Sequence, residues 1–450
     1  MALTGIEIFK KLPKTNCGEC GVPTCLAFAM KLAAGQAELS ACPYVSEEAK
    51  TALEEASAPP IRPLTIGTGD KALKIGGETV MFRHEKRFVN PTGVAVLVSD
   101  KMSDAEVEGR LKKLRELKFE RVGLMLQADL VALKGESGDP ATFEAFVKKV
   151  KEKVDGKGMV LMSEDPKVLG AGARACADRK PLLYAATKAN IEAMAQLAKE
   201  ISAPLAVKAG SLDELAELTT KLTAAGLKDL VLDSGARTTR KALEDQIIIR
   251  RVALVKKFRP LGFPTITFPC EMTDNPMKEA VLASMFVAKY GGIVVLSDIE
   301  GHSLFPILVE RMNLYTDPQR PMATGEGIYE IGGPGENSPV LITSNFSLTY
   351  FIVSGEIEGS RIPCWLLVKD TEGLSVMTAW AAGKFSADLI APFVKKCGIA
   401  DKVKHRKLII PGYAAVISGE LEEELPEWKI SIGPREAGHI PAFLKMWKPE

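Results

Sequence analysis

The sequence predicts an α/β protein in three parts: a small cysteine-bearing N-terminal module, a central (β/α)8 barrel, and a smaller Rossmann-like α/β module at the C-terminus. Three observations predict it. Strand-length apolar runs alternate with helix-period segments from Val94 to Leu314. A shorter alternation of the same kind follows a glycine-rich stretch at Gly325–Gly335. Four of the eight cysteines, Cys17, Cys20, Cys25 and Cys42, crowd into the first tenth of a 450-residue chain. That length accommodates about three domains. A 46% hydrophobic and 26% charged composition excludes disorder, collagen and coiled coil as the overall class. Lys plus Arg number 58 against 57 Asp plus Glu, so no basic excess points to nucleic acid or an anionic membrane. No apolar run approaches the ~18 residues of a membrane span. Glu7 interrupts the place where a signal peptide needs its apolar stretch, so a cytoplasmic location is expected.

The N-terminal module carries Cys17-x2-Cys20-x4-Cys25-x16-Cys42-Pro43. In a reducing compartment disulfides are rare, and crowded thiols point to a metal. Gly18 and Gly21 let backbone amides approach the sulfurs. Structural zinc sites pair two short-spaced knuckles. Here three cysteines share one loop and the fourth arrives alone before a proline, which favours a [4Fe–4S] cluster over zinc. A short helix is expected over 26–35 and another over 46–56, with Ser46 as its N-cap. Pro59, Pro60 and Pro63 then make a semi-rigid connector, and residues 67–89 suggest a small hairpin. The resulting divisions are 1–57 for the cysteine module, 58–92 for linker and hairpin, 93–324 for the barrel and 325–450 for the last module.

The eight barrel strands are expected at 94–100, 121–126, 158–164, 181–187, 204–210, 228–234, 264–269 and 292–298, each followed by a helix. Their near-continuous apolar character suits a parallel sheet buried on both faces; an open doubly wound sheet is the competing topology. Asp100, Gln127, Glu164, Asp165, Thr187, Lys208, Asp233, Glu271 and Asp298 fall where barrel strands end, which is where barrel sites are built. The plainer reading makes them loop caps and helix N-caps. No phosphate loop, paired-histidine motif or tight acid–base group accompanies them, which favours a docking surface over a catalytic site. Cys176, Cys364 and Cys397 read as packing residues, and Cys270 alone falls near a strand end.

Gly325–Gly335 marks the boundary to the last module and reads as a hinge. Strands are expected at 339–345, 351–357, 363–370, 407–412 and 429–434, a long amphipathic helix at 375–396 and a short one at 419–428. The strands end in small or polar loops at Thr343–Asn345, Thr371–Gly373, Pro411–Tyr413 and Gly433–Arg435. In open α/β sheets a ligand lies outside the carboxyl ends of the strands. Four permissive loops there suggest a large, flat ligand approached by backbone.

The motif Asn16-Cys-Gly-Glu-Cys-Gly-Val-Pro-Thr-Cys25, the spacing to Cys42-Pro43, the barrel and Thr343-Ser-Asn-Phe-Ser-Leu-Thr-Tyr350 together resemble the large (gamma) subunits of corrinoid iron–sulfur proteins of the Wood–Ljungdahl (acetyl-CoA) pathway. The resemblance spans essentially the whole chain. It implies a [4Fe–4S] cluster on Cys17, Cys20, Cys25 and Cys42. It implies a corrinoid against Thr343, Ser344, Asn345, Phe346, Ser347, Thr349, Thr371, Glu372, Gly373, Leu374, Ser375, Pro411, Gly412, Ala414, Gly433 and Pro434. It also implies a methyltransferase component whose chemistry belongs to cobalt: Co(I) takes a methyl group from methyl-tetrahydrofolate held by a methyltransferase, passes it to acetyl-CoA synthase, and is restored by the cluster after oxidation to Co(II). The implied partners are a small subunit, that methyltransferase and acetyl-CoA synthase, with no nucleic acid and no membrane. Neither His84, His302, His405 nor His439 fits the Asp-x-His-x-x-Gly pattern that supplies a cobalt ligand elsewhere, so the implied corrinoid is base-off without a histidine ligand. A pterin-binding barrel methyltransferase and an iron–sulfur carrier without corrinoid are the alternatives.

Overall fold

The computed structural model describes residues 5–33, 37, 39–46, 49–50, 53, 58–121, 123–318 and 321–449. The chain divides into two compact units. One comprises Met1–Met81, Val89–Arg115 and Ala128–Arg311; the other comprises Phe82–Phe88, Glu116–Gln127 and Met312–Glu450. Among the described residues no helix is long and apolar enough to cross a membrane.

In the first unit, helices Gly5–Lys11 and Cys25–Ala33 pack around Ile8, Leu12, Phe28 and Ala29. The helix expected over 46–56 lies mostly outside the described residues, although Ser46 Oγ accepts from Ala49 N at 3.2 Å as an N-cap would. A hairpin of β1 (Leu64–Ile66) and β2 (Leu73–Ile75) comes next. Its Ile66 and Ile75 are fully buried among inward-facing barrel residues such as Leu130, Val160 and Ile293, so it plugs the floor of the barrel.

The barrel itself is a parallel sheet. Its strands are β3 (Gly93–Ser99), β6 (Leu130–Lys134), β7 (Gly158–Met162), β8 (Leu182–Ala186), β9 (Leu205–Lys208), β10 (Leu230–Asp233), β11 (Ile266–Thr267) and β12 (Ile293–Leu296). They are ordered β10-β9-β8-β7-β6-β3-β12-β11. A parallel bridge from Leu232 to Thr265, with Leu232 N donating to Pro264 O at 2.8 Å, joins the two ends and closes the ring. All five residues of β7 and of β8 are buried, as a sheet covered on both faces requires. Asp139, Asp165, Ser211 and Asn275 cap the helices that follow.

One expected barrel strand is corrected. Residues 121–126 do not enter the barrel. Gly123, with φ +70°, reverses the chain between β4 (Phe119–Arg121) and β5 (Leu124–Leu126), which pair as an antiparallel hairpin in the second unit. Leu124 and Met125 are 54% and 55% exposed there. The barrel position falls to Leu130–Lys134 instead, four of whose five residues are buried.

The second unit is built on a five-stranded sheet of β13 (Gly327–Ile331), β14 (Val340–Ser344), β15 (Cys364–Lys369), β16 (Lys407–Ile410) and β17 (Lys429–Ile432). Its order is β13-β15-β14-β16-β17, with β13 antiparallel and the rest parallel. Counting the parallel strands alone, the order is 2-1-3-4, that of flavodoxin-like folds. Three expectations are corrected here. Residues 351–357 are not a strand but the middle of helix Ser347–Ser360. β14 and β15 are parallel neighbours, and a parallel pair needs a crossover rather than a turn, so the connection overrides the β-branched bias of Ile352 and Val353. The long helix expected at 375–396 is two, Val376–Ala381 and Ala387–Lys396, parted at left-handed Gly383 (φ +67°). The glycine-rich stretch is not a free hinge: β13 pairs along its length with β15, from Gly327↔Val368 to Ile331↔Cys364.

A buried ion pair ties the first unit together after the hairpin. Arg250 Nη2 lies 3.2 Å from Glu78 Oε2, with side chains 4% and 8% exposed, and Glu78 Oε1 accepts from Val89 N at 2.9 Å. Replacing Arg250 with leucine strands a buried carboxylate and should cost about 3–5 kcal/mol. All four tryptophans lie in the last module, at 365, 380, 428 and 447. The urea midpoint by far-UV circular dichroism should therefore fall while the tryptophan-fluorescence midpoint holds; two unchanged midpoints would contradict the role given to this pair.

Candidate functional site

The N-terminal cysteine loop is shaped by its backbone. Asn16, Gly18 and Gly21 adopt left-handed φ values of 48°, 76° and 75°. Gly21 N donates to Gly18 O at 2.9 Å, and Asn16 Oδ1 accepts from Cys25 N at 2.8 Å, drawing the loop closed. Cys25 and Cys42 are buried and Cys20 packs against the same small apolar core, while Cys17 is exposed. Tyr44, two residues beyond Cys42, donates its hydroxyl to Glu19 Oε1 at 2.7 Å, which lays the two ends of the motif side by side. Among the described residues no three metal-capable side chains are gathered into one coordinating group. The donor set nonetheless fits a metal: four thiols and no competing carboxylate in the core. Such sites commonly close only as the metal binds.

The barrel mouth tells a different story. Tyr184 OH donates to Asp233 Oδ2 at 2.6 Å, and Arg237 donates to both Asp233 oxygens, at 3.1 and 2.9 Å, and to Glu271. The guanidinium also lies 4.6 Å over the Phe268 ring. Burial opposes its charge, but hydrogen bonding and attraction from Asp233 outweigh this and raise its pKa. Burial, then the charge of Asp233, pushes the Tyr184 hydroxyl well above its ordinary value. The other strand-end groups are likewise engaged. Asp100 accepts from Glu136 N and Ser137 N, Asp165 caps a helix, Glu164 pairs with Lys208, and Asp298 pairs with Lys113. Thr187 N bonds Asn190, and Gln127 lies in the hairpin segment of the second unit. Most of these strand-end groups are engaged with one another or with loop and helix-cap amides.

The second unit has an open cleft. It measures about 240 Å³ and lies at the carboxyl ends of β14, β16 and β17. Strand order reverses between β14 and β16, so loops leaving these neighbours diverge and a crevice opens. Thr343, Thr349, Ser375, Pro411, Gly433 and Pro434 line it, all anticipated from the sequence. Ser344, Asn345, Ser347 and Thr371 are buried behind its walls, and Ala414 belongs to the apolar core. Phe346 stands at the N-cap of helix Ser347–Ser360, and Glu372, Gly373 and Leu374 form the turn that leads to Ser375. Gly412 serves by lacking a side chain: a Cβ there would meet Gly433 O at 2.6 Å, where Gly412 N now donates to Pro434 O at 3.1 Å.

The loop Gly433–Arg435 read from the sequence brings Arg435 to the lining as well, but sequence reasoning missed several lining residues, among them Val353, Val376, Met377, Ala437 and Ile440. Val353 sits one helical turn beyond Thr349, so the i, i+4 spacing signals it once the segment is read as a helix. Ala437 and Ile440 lie at the head of helix Ile440–Met446, which was not anticipated. None of the four histidines lines the cleft. His405 is held by Ser338 O and Lys407 N, and burial lowers its pKa.

Comparison with known proteins places the chain in a family. A family model described as "CO dehydrogenase/acetyl-CoA synthase delta subunit" matches residues 63–444, and one described as "Putative Fe-S cluster" matches residues 12–44. The corrinoid/iron–sulfur protein large subunit of Moorella thermoacetica is 50% identical over 445 residues, covering 99% of both chains. The acetyl-CoA decarbonylase/synthase complex subunit gamma of Methanopyrus kandleri is 39% identical over 453 residues, covering 98% of this chain and 97% of that one. The corresponding gamma subunit of Methanothermobacter thermautotrophicus is 34% identical over 455 residues, covering 99% of both. The chain therefore belongs to the family of corrinoid/iron–sulfur protein large subunits and acetyl-CoA decarbonylase/synthase gamma subunits of the acetyl-CoA pathway.

Proposed function

We propose that this chain is a corrinoid-dependent methyl carrier, a methyltransferase component rather than a stand-alone enzyme. The cleft at the switch point of the C-terminal sheet carries the reading. When bound, the corrinoid supplies a cobalt able to take a methyl group from methyl-tetrahydrofolate on a separate methyltransferase and yield it to acetyl-CoA synthase, and a [4Fe–4S] cluster supplies an electron to restore oxidised cobalt. The chain's own residues hold and separate these groups. Cys17, Cys20, Cys25 and Cys42 ligate the cluster, within a module over 1–57. The linker and hairpin over 58–92 lead to a scaffold barrel over 93–324 and a carrier module over 325–450. A small subunit completes a heterodimer.

The cleft is smaller than the ~300–1,000 Å³ of sites that enclose a drug-sized ligand. Only part of so large a cofactor would enter it, and the remainder would lie against exposed side chains such as Met377 and Tyr413, each 45% exposed. Thr343, Thr349 and Ser375 offer hydroxyls, Pro411, Gly433 and Pro434 offer backbone, and Arg435 offers a positive charge. No histidine is among the lining residues, so none of them would hold the cobalt through an imidazole, and the lack of such a ligand would favour its reduction.

Anaerobically purified protein should contain about four irons and one cobalt per chain and show corrinoid absorption bands. Iron without cobalt would replace the carrier reading with that of an iron–sulfur electron carrier, and a single zinc would defeat the cluster.

Burial pushes the thiols of Cys176, Cys270 and Cys364 up to about 12. The thiolate is the reactive form, so at pH ~8 these three stay protonated and inert. Iodoacetamide on cluster-free protein should label exposed Cys17 first and spare them. Reconstitution with iron and sulfide should then protect Cys17, Cys20, Cys25 and Cys42 together. Labelling of these four unchanged by reconstitution would contradict the ligand assignment.

A further inference from the structure

We propose that Asn345, which does not itself line the cleft, is the positioning residue that sets one of the cleft's walls for the corrinoid. The inference rests on the corrinoid reading above. That wall is Ser375, Val376 and Met377, which leave directly from the turn Asp370–Leu374. The turn holds two successive left-handed residues, Glu372 at φ 57° and Gly373 at φ 75°. A left-handed non-glycine residue is unfavourable unless its surroundings impose it.

Asn345 imposes it. Only 4% exposed, it points its Oδ1 at the turn and accepts from Thr371 N at 3.0 Å and Gly373 N at 2.9 Å, with the Thr371 hydroxyl also 2.9 Å away. Its Nδ2 donates to Asp370 Oδ1 at 2.8 Å. Asp370 is fixed from the far side too: Oδ1 accepts from Glu372 N at 2.9 Å, and its own amide donates to Glu326 Oε2 at 2.8 Å. The turn is thereby bolted to β14 through Asn345 and to the approach of β13 through Glu326.

Only a carboxamide serves at this position, because acceptor and donor are needed on opposite sides of one small group. An aspartate would turn the donor into a second carboxylate against Asp370. An alanine would leave two buried amides without an acceptor. Gly373 has no slack to compensate, since a Cβ there would lie 2.9 Å from Pro321 O. The wall is thus ordered before the ligand arrives, and a preorganised site binds more tightly than one that must be ordered on binding.

The test uses the full chain with its co-purifying subunit, stripped of corrinoid, and hydroxocobalamin as the probe. Asn345→Ala and Asn345→Asp should weaken cobalamin binding by about tenfold or more. In the cobalamin-free protein the amides of Thr371 and Gly373 should exchange faster, while the far-UV spectrum and the cluster absorbance stay as in the unaltered chain. Gly373→Ala disturbs the same turn by another route and should reproduce both effects, which keeps the test intact if Asn345→Ala does not fold. Faster exchange at the turn with undiminished cobalamin affinity would overturn the inference and leave the corrinoid reading standing. Failure of the unaltered chain to bind cobalamin would overturn both.

Discussion

Parallel strand pairing is the constraint on which both units depend. Two parallel neighbours cannot be joined by a tight turn, so each connection must travel the length of the sheet and return. The parallel strands of each sheet then point their carboxyl ends the same way, and the loops that follow them gather on one edge. The misread segment at 351–357 shows the strength of the rule. Its Phe, Ile and Val residues favour a strand, yet it folds within helix Ser347–Ser360 because β14 and β15 need a crossover. The same rule brings Thr343, Ser375, Pro411 and Gly433, far apart in the chain, to one cleft.

Closure decides what each carboxyl edge becomes. The barrel closes through the Leu232–Thr265 bridge, and its strand-end side chains converge on a shared centre. Asp233, Arg237, Tyr184 and Glu271 meet there and satisfy one another. The five-stranded sheet does not close. Its order reverses at β14, and the diverging loops leave a crevice that side chains alone do not fill. The barrel's strand-end side chains are thus largely paired, while the five-stranded sheet keeps a cleft at its carboxyl edge, which supports the scaffold and carrier roles proposed above.

The parts legible in the sequence were those where one local signal suffices. Cysteine spacing marked the N-terminal motif, and buried strands such as 158–162 and 293–296 read as apolar runs because both faces are covered. Strand ends marked loops that line the cleft, because small and polar residues follow the buried strands there. What local signals could not supply was competition between segments. Leu130–Lys134 entered the barrel instead of the equally apolar 121–126, and only the reversal at Gly123 separates the two. Division of labour within the loops was also illegible. Asn345 and Thr343 sit two residues apart in one motif, yet Thr343 lines the cleft and Asn345 is buried behind it, gripping another loop. Strand alternation separates adjacent residues, but the partner of a buried carboxamide is set by a segment 25 residues away.

The central claim is that the working site lies on the open sheet and not at the barrel mouth. A hydrogen-exchange footprint of cobalamin binding to the full chain tests it most directly. The account predicts protection confined to 343–349, 371–377, 411–414 and 433–440, with the barrel strand ends around Glu136, Tyr184, Asp233 and Glu271 unchanged. Protection at those barrel positions, with none at the C-terminal loops, would contradict it.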